Sequence, residues 1–266
     1  ENIRLPSEED MDFTLSEEQQ ALVNVTRQFA QKELPDYADK IEKTGVPAPL
    51  ILLQRFAEMG FLGVNLPAHY GGGGMSHLDA VLVLEELAKV SVAAAFPVFE
   101  SCFGPALAIA HYGPEQMRSS VLPDVCSGNM IVAVSMSEPQ AGTALTDLKT
   151  ELVPNGKSFV LRGTKRWCSG AGHADAYVVY CRMSDAPGAK GIGAVLVHDG
   201  VEGFTFGAPE EHMGFRGIPS ADMHFDDVSV SADQIILPAG GFKQLMEAFD
   251  LERCGNTTMS LACAQS

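Results

Sequence analysis

The chain has 266 residues, 46% of them hydrophobic and 20% charged, enough for roughly one to three packed domains and unlike a disordered chain. Its net charge of −16 repels phosphate backbones and anionic lipid, so neither nucleic acid nor a membrane surface is an expected partner. An anionic small ligand stays open, because a helix N-terminus or a local basic patch can hold one.

Glu1 to Asp10 is acidic and lacks the apolar core of a signal peptide. Met11 is a candidate start, and residues 1–12 read as an extension. A capping box at Ser16 and Gln19 opens a helix with Leu22, Val25 and Phe29 at helical spacing, and Pro35 ends it. Ile51 to Met59 reads as a helix closed by Gly60, and Pro67 to Gly74 as a loop. Leu78 to Val90 and Phe99 to Tyr112 are apolar helices, and Glu115 to Leu122 is an amphipathic one closed by Pro123. The period then changes. Ile131 to Met136, Thr150 to Val153, Ser158 to Leu161, Ala176 to Cys181, Gly193 to His198 and Met223 to Phe225 are short β-rich runs between turn residues. Gly241 to Gln265 is helical again and lacks a stop signal, so further helical chain is expected after it.

The expected fold is therefore α+β. An N-terminal all-α domain spans 13–129, a middle antiparallel β-barrel domain 130–236, and the first helix of a C-terminal helical bundle 237–266. The six cysteines form no Cys-x-x-Cys pair and no zinc spacing, so no metal is expected. They read as free thiols of a reducing compartment, the cytoplasm or, in a eukaryote, the mitochondrial matrix. No apolar run is read as reaching the ~18–20 residues of a membrane span.

Four segments hold candidate chemistry. Val134-Ser135-Met136-Ser137-Glu138-Pro139-Gln140-Ala141-Gly142-Thr143 is a strand running into a turn, where amides and hydroxyls are free to meet a polar ring edge or a phosphate. Gly163 to Gly170 carries the single tryptophan, Trp167, with a hydroxyl two residues on at Ser169, a pairing suited to a planar heterocycle. Met213 to Gly217 and Phe225 to Val228 form a turn and a strand end. Phe249-Asp250-Leu251-Glu252-Arg253 lies on the last helix. Taken singly, each has an ordinary reading: a turn, a core tryptophan at a hairpin, a surface ion pair between Asp250 and Arg253.

In order and together, the four resemble the acyl-CoA dehydrogenase family. They stand as Ser137-Glu138-Pro139-Gln140-Ala141-Gly142-Thr143, Gly163-Thr164-Lys165-Arg166-Trp167-Cys168-Ser169, Met213-Gly214-Phe215-Arg216, Phe225 to Val228 and Asp250 to Arg253. Leu15 to Gln19, Tyr70-Gly71-Gly72, Glu85-Glu86-Leu87-Ala88 and Gly113-Pro114-Glu115-Gln116 extend the likeness to the helical front. The resemblance implies FAD, an acyl-CoA substrate oxidised at Cα–Cβ to the trans-2-enoyl thioester, an electron-transfer flavoprotein as acceptor, and a homotetramer of the full-length protein. It also implies roles. Val134, Met136, Ser137, Gly142 and Thr143 would hold the flavin, with Thr143 also near the CoA. Trp167 and Cys168 would flank the ring, and Ser169 would bond near N5. Phe249, Asp250 and Arg253 would contact the acyl-CoA, and Phe96 to Phe103, Phe99 and Glu100 among them, would line the depth of the acyl pocket. The base in most members comes from a later helix. In isovaleryl- and long-chain-type members it is a glutamate beside the Arg of this helix, where Glu252 stands. Two departures from the pattern are Ala144 in place of an aspartate and Cys168 in place of an apolar residue. A flavin monooxygenase or nitroalkane-oxidase-like enzyme of the same fold, and a non-catalytic flavin-binding subunit, remain alternatives.

Overall fold

Ser16 caps the first helix as expected: its hydroxyl accepts from the Gln19 amide, and the Gln19 side chain accepts from the Ser16 amide. The structure, a computed structural model, describes residues 13–266, so the extension read into 1–12 lies outside the described residues. Helix α1 spans Glu17–Glu33. A helix α2 follows at Pro35–Thr44, where the sequence reading placed a stop. Proline both ends a helix and favours the first position of the next, and here it does both: α1 ends at Glu33 as expected, and α2 opens on Pro35. Then come α3 (Leu50–Glu58), α4 (His77–Ala88), α5 (Val92–Cys102), α6 (Pro105–Tyr112) and α7 (Glu115–Cys126). The expected Phe99 to Tyr112 helix is thus two helices broken at Gly104, and the first begins earlier because the Ser91 hydroxyl caps it.

By length and composition Val92–Tyr112 could cross a membrane, contrary to the sequence reading, but it is broken at Gly104 and most of it is buried inside the protein. Buried Phe29, Phe56 and Phe61 contact one another in the helical core, which also takes in α4 and α5. Buried Glu86 anchors α4 to α1. Its carboxylate accepts from Arg27 Nε and Nη2 at 2.8 and 3.1 Å and from Lys89 Nζ at 2.7 Å. Burial alone would push the Glu86 carboxyl up, yet these cations hold it below its ordinary range.

The chain then forms strands β1 (Val132–Ser135), β2 (Glu151–Asn155), β3 (Ser158–Ser169), β4 (Ala176–Arg182), β5 (Ile192–His198), β6 (Phe204–Phe206), β7 (Ser220–Val230) and β8 (Ile235–Leu237). They make one eight-stranded sheet in the order β6-β7-β3-β2-β4-β5-β8, with β1 beside β4. The sheet does not close into a barrel, and it is mixed: β1 and β2 both run parallel to β4. Strand β4 is buried on both faces. Ala176, Val178 and Tyr180 enter the core shared with α6, α7 and α8, while Tyr177, Val179 and Cys181 enter the core under β3 and β7.

Helix α8 (Phe242–Gln265) closes the fold. Its first half sets Leu245 into the core shared with the sheet, and its second half sets Met259 and Ala262 into the helical core. Gly255 allows the close crossing with α5: a Cβ there would lie 2.8 Å from the Phe99 ring and 2.9 Å from Phe103.

Candidate functional site

Where the helical domain, the sheet and α8 meet, a cavity of about 180 Å³ opens. Helix α5 contributes Phe96, Phe99 and Glu100. The end of β1 contributes Val134, Met136 and Ser137, and the end of β3 contributes Arg166, Trp167, Cys168 and Ser169. Phe215 comes from the loop before β7, and Glu252 and Asn256 come from α8. Nine of the residues singled out in the sequence thus line one cavity: Phe99, Glu100, Val134, Met136, Ser137, Trp167, Cys168, Ser169 and Glu252. Five do not. Gly142 and Thr143 lie in an exposed turn beyond the Glu138–Ala141 bridge. Phe249, Asp250 and Arg253 sit outside the cavity wall, where Arg253 pairs with Asp250 and lies 4.5 Å over the Phe249 ring. Both members of that pair are exposed, so the surface-pair reading describes their present contacts.

Trp167 is not a core residue. It is 63% exposed, its φ is +55°, and the β3–β7 register shifts between Lys165 and Cys168. A bulge with a left-handed, non-glycine residue aims a side chain out of the sheet at a cost in strain. The indole therefore stands at the cavity edge, with the Arg166 guanidinium 5.0 Å from its ring centroid. Cys168, next along, turns its thiol inward to donate to the Val134 carbonyl at 3.2 Å. Burial pushes that thiol up to about 12, so it stays protonated and packs as a small apolar group.

The wall is held by a pair that the sequence reading did not single out. Lys165 and Glu138 meet at 2.9 Å with side chains 0% and 1% exposed. Lys165 Nζ also donates to the Met136 carbonyl at 2.8 Å. Glu138 accepts further bonds from the Lys149 amide and the Gln140 side chain at 2.6 Å and from the Thr150 amide at 2.9 Å. Burial would raise the Glu138 carboxyl, but Lys165 and these donors hold it below its ordinary range. Burial lowers Lys165 despite its partner. One cation thus ties β3 to the chain segment after β1, and it fixes Met136 and Ser137 against Trp167.

Two carboxyls face the same cavity. Burial, opposed by Arg253, pushes Glu252 up to about 7. Burial, and then the charge of Glu252, pushes Glu100 well above its ordinary range. A half-buried carboxylate that titrates near neutrality can take up a proton at working pH. The exposed indole and the hydroxyls of Ser137 and Ser169 around one opening suit a flat, polar-edged ring such as a flavin.

Comparison with known proteins agrees with this architecture. The family description "Acyl-CoA dehydrogenase, N-terminal domain" matches residues 16–129, and "Acyl-CoA dehydrogenase, middle domain" matches residues 133–228. An acryloyl-CoA reductase (NADH) of Anaerotignum propionicum is 33% identical over 258 residues, covering 96% of this chain and 65% of the relative. A 3-sulfinopropanoyl-CoA desulfinase of Paraburkholderia xenovorans is also 33% identical over 258 residues, covering 95% and 66%. The solved butyryl-CoA dehydrogenase of Megasphaera elsdenii has a TM-score of 0.89 at 29% identity, covering 96% of this chain and 68% of that one. The chain thus spans about two thirds of the length of the relatives it matches.

Proposed function

Since the chain belongs to the acyl-CoA dehydrogenase family of flavoprotein oxidoreductases, we propose that it takes part in the α,β-dehydrogenation of an acyl-CoA thioester with Glu252 as the base. The observation that carries this reading is the position of Glu252: half-buried, titrating near 7, and in the same cavity as Trp167, Ser137 and Ser169. A base with that proton affinity is ionised in much of the population near neutral pH yet basic enough to take a proton from a carbon made acidic by a thioester.

FAD is the proposed cofactor, and when bound it supplies the acceptor for the β-hydrogen. Trp167 would flank its ring, and Ser137 and Ser169 would offer hydroxyls to its polar edge. The chain's own work is then positional. Phe96 and Phe99 pack the acyl chain and exclude water, which strengthens every charge interaction inside. Glu252 removes the α-proton. The Lys165–Glu138 pair holds the Met136–Ser137 wall in place. An electron-transfer flavoprotein as electron acceptor, a tetrameric assembly, and a reducing compartment (cytoplasm or mitochondrial matrix) belong to the same proposal. The unpaired state of all six cysteines fits that compartment.

The test is anaerobic titration of the FAD-loaded protein with a panel of acyl-CoAs while flavin absorbance is followed. Bleaching by a thioester, lost at least about 100-fold in rate in Glu252→Gln, is the expected result. Absence of bleaching by every thioester despite bound flavin would overturn the reading. Bleaching unchanged in Glu252→Gln would assign the base elsewhere.

A further inference from the structure

Glu100 is a carboxyl without a counter-charge. It is 7% exposed, and its Oε2 has no hydrogen-bond partner among the described residues. Besides the large cavity it borders two small ones of about 20 and about 30 Å³, each with room for about one water. Their walls behind Glu100 are mostly apolar, with Leu53, Leu62 and Val125 around one and Pro47, Phe96 and Ile218 around the other. Glu100 therefore stands at the inner wall of the cleft with largely apolar protein behind it.

The charged and titratable groups that face it from each neighbouring element can be named. Helix α8 presents Glu252, of the same sign. Strand β3 presents the Cys168 thiol, which burial keeps protonated, and Arg166. Arg166 stands on the Trp167 side of the cavity: its guanidinium lies over the indole, and its Nε, 3.8 Å from Asp222, has no hydrogen-bond partner among the described residues. The segment after β3 presents His173, which burial holds below its ordinary range and so keeps neutral. Neither of the two small cavities behind Glu100 is lined by a lysine or an arginine, so no cation backs it on that side.

We infer that Glu100 makes this cleft selective against acyl chains that end in an anion, so that the substrate carries an uncharged acyl group. The inference rests on the reading of the cavity as the acyl site. Proton abstraction needs Glu252 ionised, so the working cavity already holds one negative charge. A terminal carboxylate or sulfinate would add a second, desolvated, against a carboxyl rather than a guanidinium. If Glu100 is ionised, the two repel. If it is protonated, it offers a single hydrogen bond to a charge that has lost its water. The substrate named for the desulfinase relative ends in a sulfinate, and this chain is inferred to reject such a terminus.

The experiment compares pentanoyl-CoA with glutaryl-CoA on the FAD-loaded protein between pH 6 and 9. Two readouts are taken: kcat/KM for flavin bleaching, and Kd for the redox-inert 3-thia analogues of both. The expected preference for the uncharged chain in Kd is about 100-fold at pH 8, the size of like charges a few ångströms apart in a partly wet site. It should grow as pH rises, and in Glu100→Gln it should fall at least about fivefold and become flat with pH. Comparable Kd values, within about tenfold, in the unaltered protein would overturn the inference alone, and this arm needs no variant to fold. A ratio unchanged in folded Glu100→Gln would also overturn it. Failure of both analogues to bind would overturn the acyl-site reading, and the inference with it.

Discussion

Replacing Lys165 by methionine removes the one cation from a buried pair and leaves the Glu138 carboxylate in place. The lysine side chain is 0% exposed, so no water replaces it directly. Glu138 keeps three donors, the Lys149 and Thr150 amides and the Gln140 side chain. Breaking a buried pair from one side costs about 3–5 kcal/mol, and the surviving donors place this case near the lower end, about 3 kcal/mol at pH 7. Removing both charges together, Lys165→Met with Glu138→Gln, should recover more than half of that loss, because no orphan charge remains. The sign with pH follows from Glu138. Its folded carboxyl is depressed, so its contribution is present above the unfolded value and lost as pH falls through the folded one. In Lys165→Met that depression shrinks, so the gap between variant and parent should narrow as the solution is acidified. Denaturant titrations at pH 7 and at about pH 3.5, below the ordinary carboxyl value, measure all three proteins. A single variant within about 1 kcal/mol of the parent, or a double variant no better than the single, would refute the argument that the pair is structural. FAD affinity should fall in both, since Met136 loses its anchor.

The other predictions concern the cavity itself. Flavin bleaching should lose about tenfold in rate per pH unit below about 7 and level off above it, because Glu252 must be ionised to act, and stopped-flow measurements across pH 5.5–8.5 would show this. Glu100→Gln should be more stable than the parent at alkaline pH and equal to it near pH 4. The raised carboxyl holds a proton that the unfolded chain releases from the ordinary 4.5 upward, so the parent loses up to about 1.4 kcal/mol per pH unit until Glu100 itself titrates; melts against pH would check it. Trp167→Ala should change stability by less than about 0.5 kcal/mol, since the exposed indole is backed by strain rather than packing, while FAD affinity falls at least about tenfold. Gly255→Val should cost about 1–3 kcal/mol by denaturant melt, because its side chain would overlap the Phe99 and Phe103 rings.

Local signals in the chain were good guides to single elements and poor guides to their limits. The capping box at Ser16 marks a helix start in plain text, and the switch from helical to alternating period near Ile131 marks the start of the sheet. Proline misled once. Pro35 ends α1 as read and also begins α2, but Pro123 lies inside α7, because tertiary packing can make a helix tolerate a proline. Strand β7 was legible as a short run at Met223 to Phe225 and a strand end to Val228, although it runs from Ser220 to Val230, since exposed Asp226 and Asp227 break the apolar signal. In the site, the tryptophan and the strand-end serine were legible from motif order. The Glu138–Lys165 pair was not. Its members lie 27 residues apart, and each alone reads as a surface charge. The positions of Asp250 and Arg253 on the outer face of α8, two residues before and one after Glu252, depend on the helix's rotation, which its weak amphipathicity leaves undetermined.

Helix α8 has a mechanical consequence. It is 24 residues long, a rod of about 36 Å, pinned at one end into the core beneath the sheet and at the other into the helical core. Glu252 lies on the stretch between the two pins. The two halves of the protein cannot hinge apart like a clam without bending this strut and breaking its internal hydrogen bonds, and they cannot slide without shearing Gly255 against Phe99. Access to the cavity therefore falls to its smaller covers, above all Phe215, whose ring meets Phe96 edge-on at 5.4 Å from a loop rather than from a helix. Glu252 thus keeps one position relative to both cores.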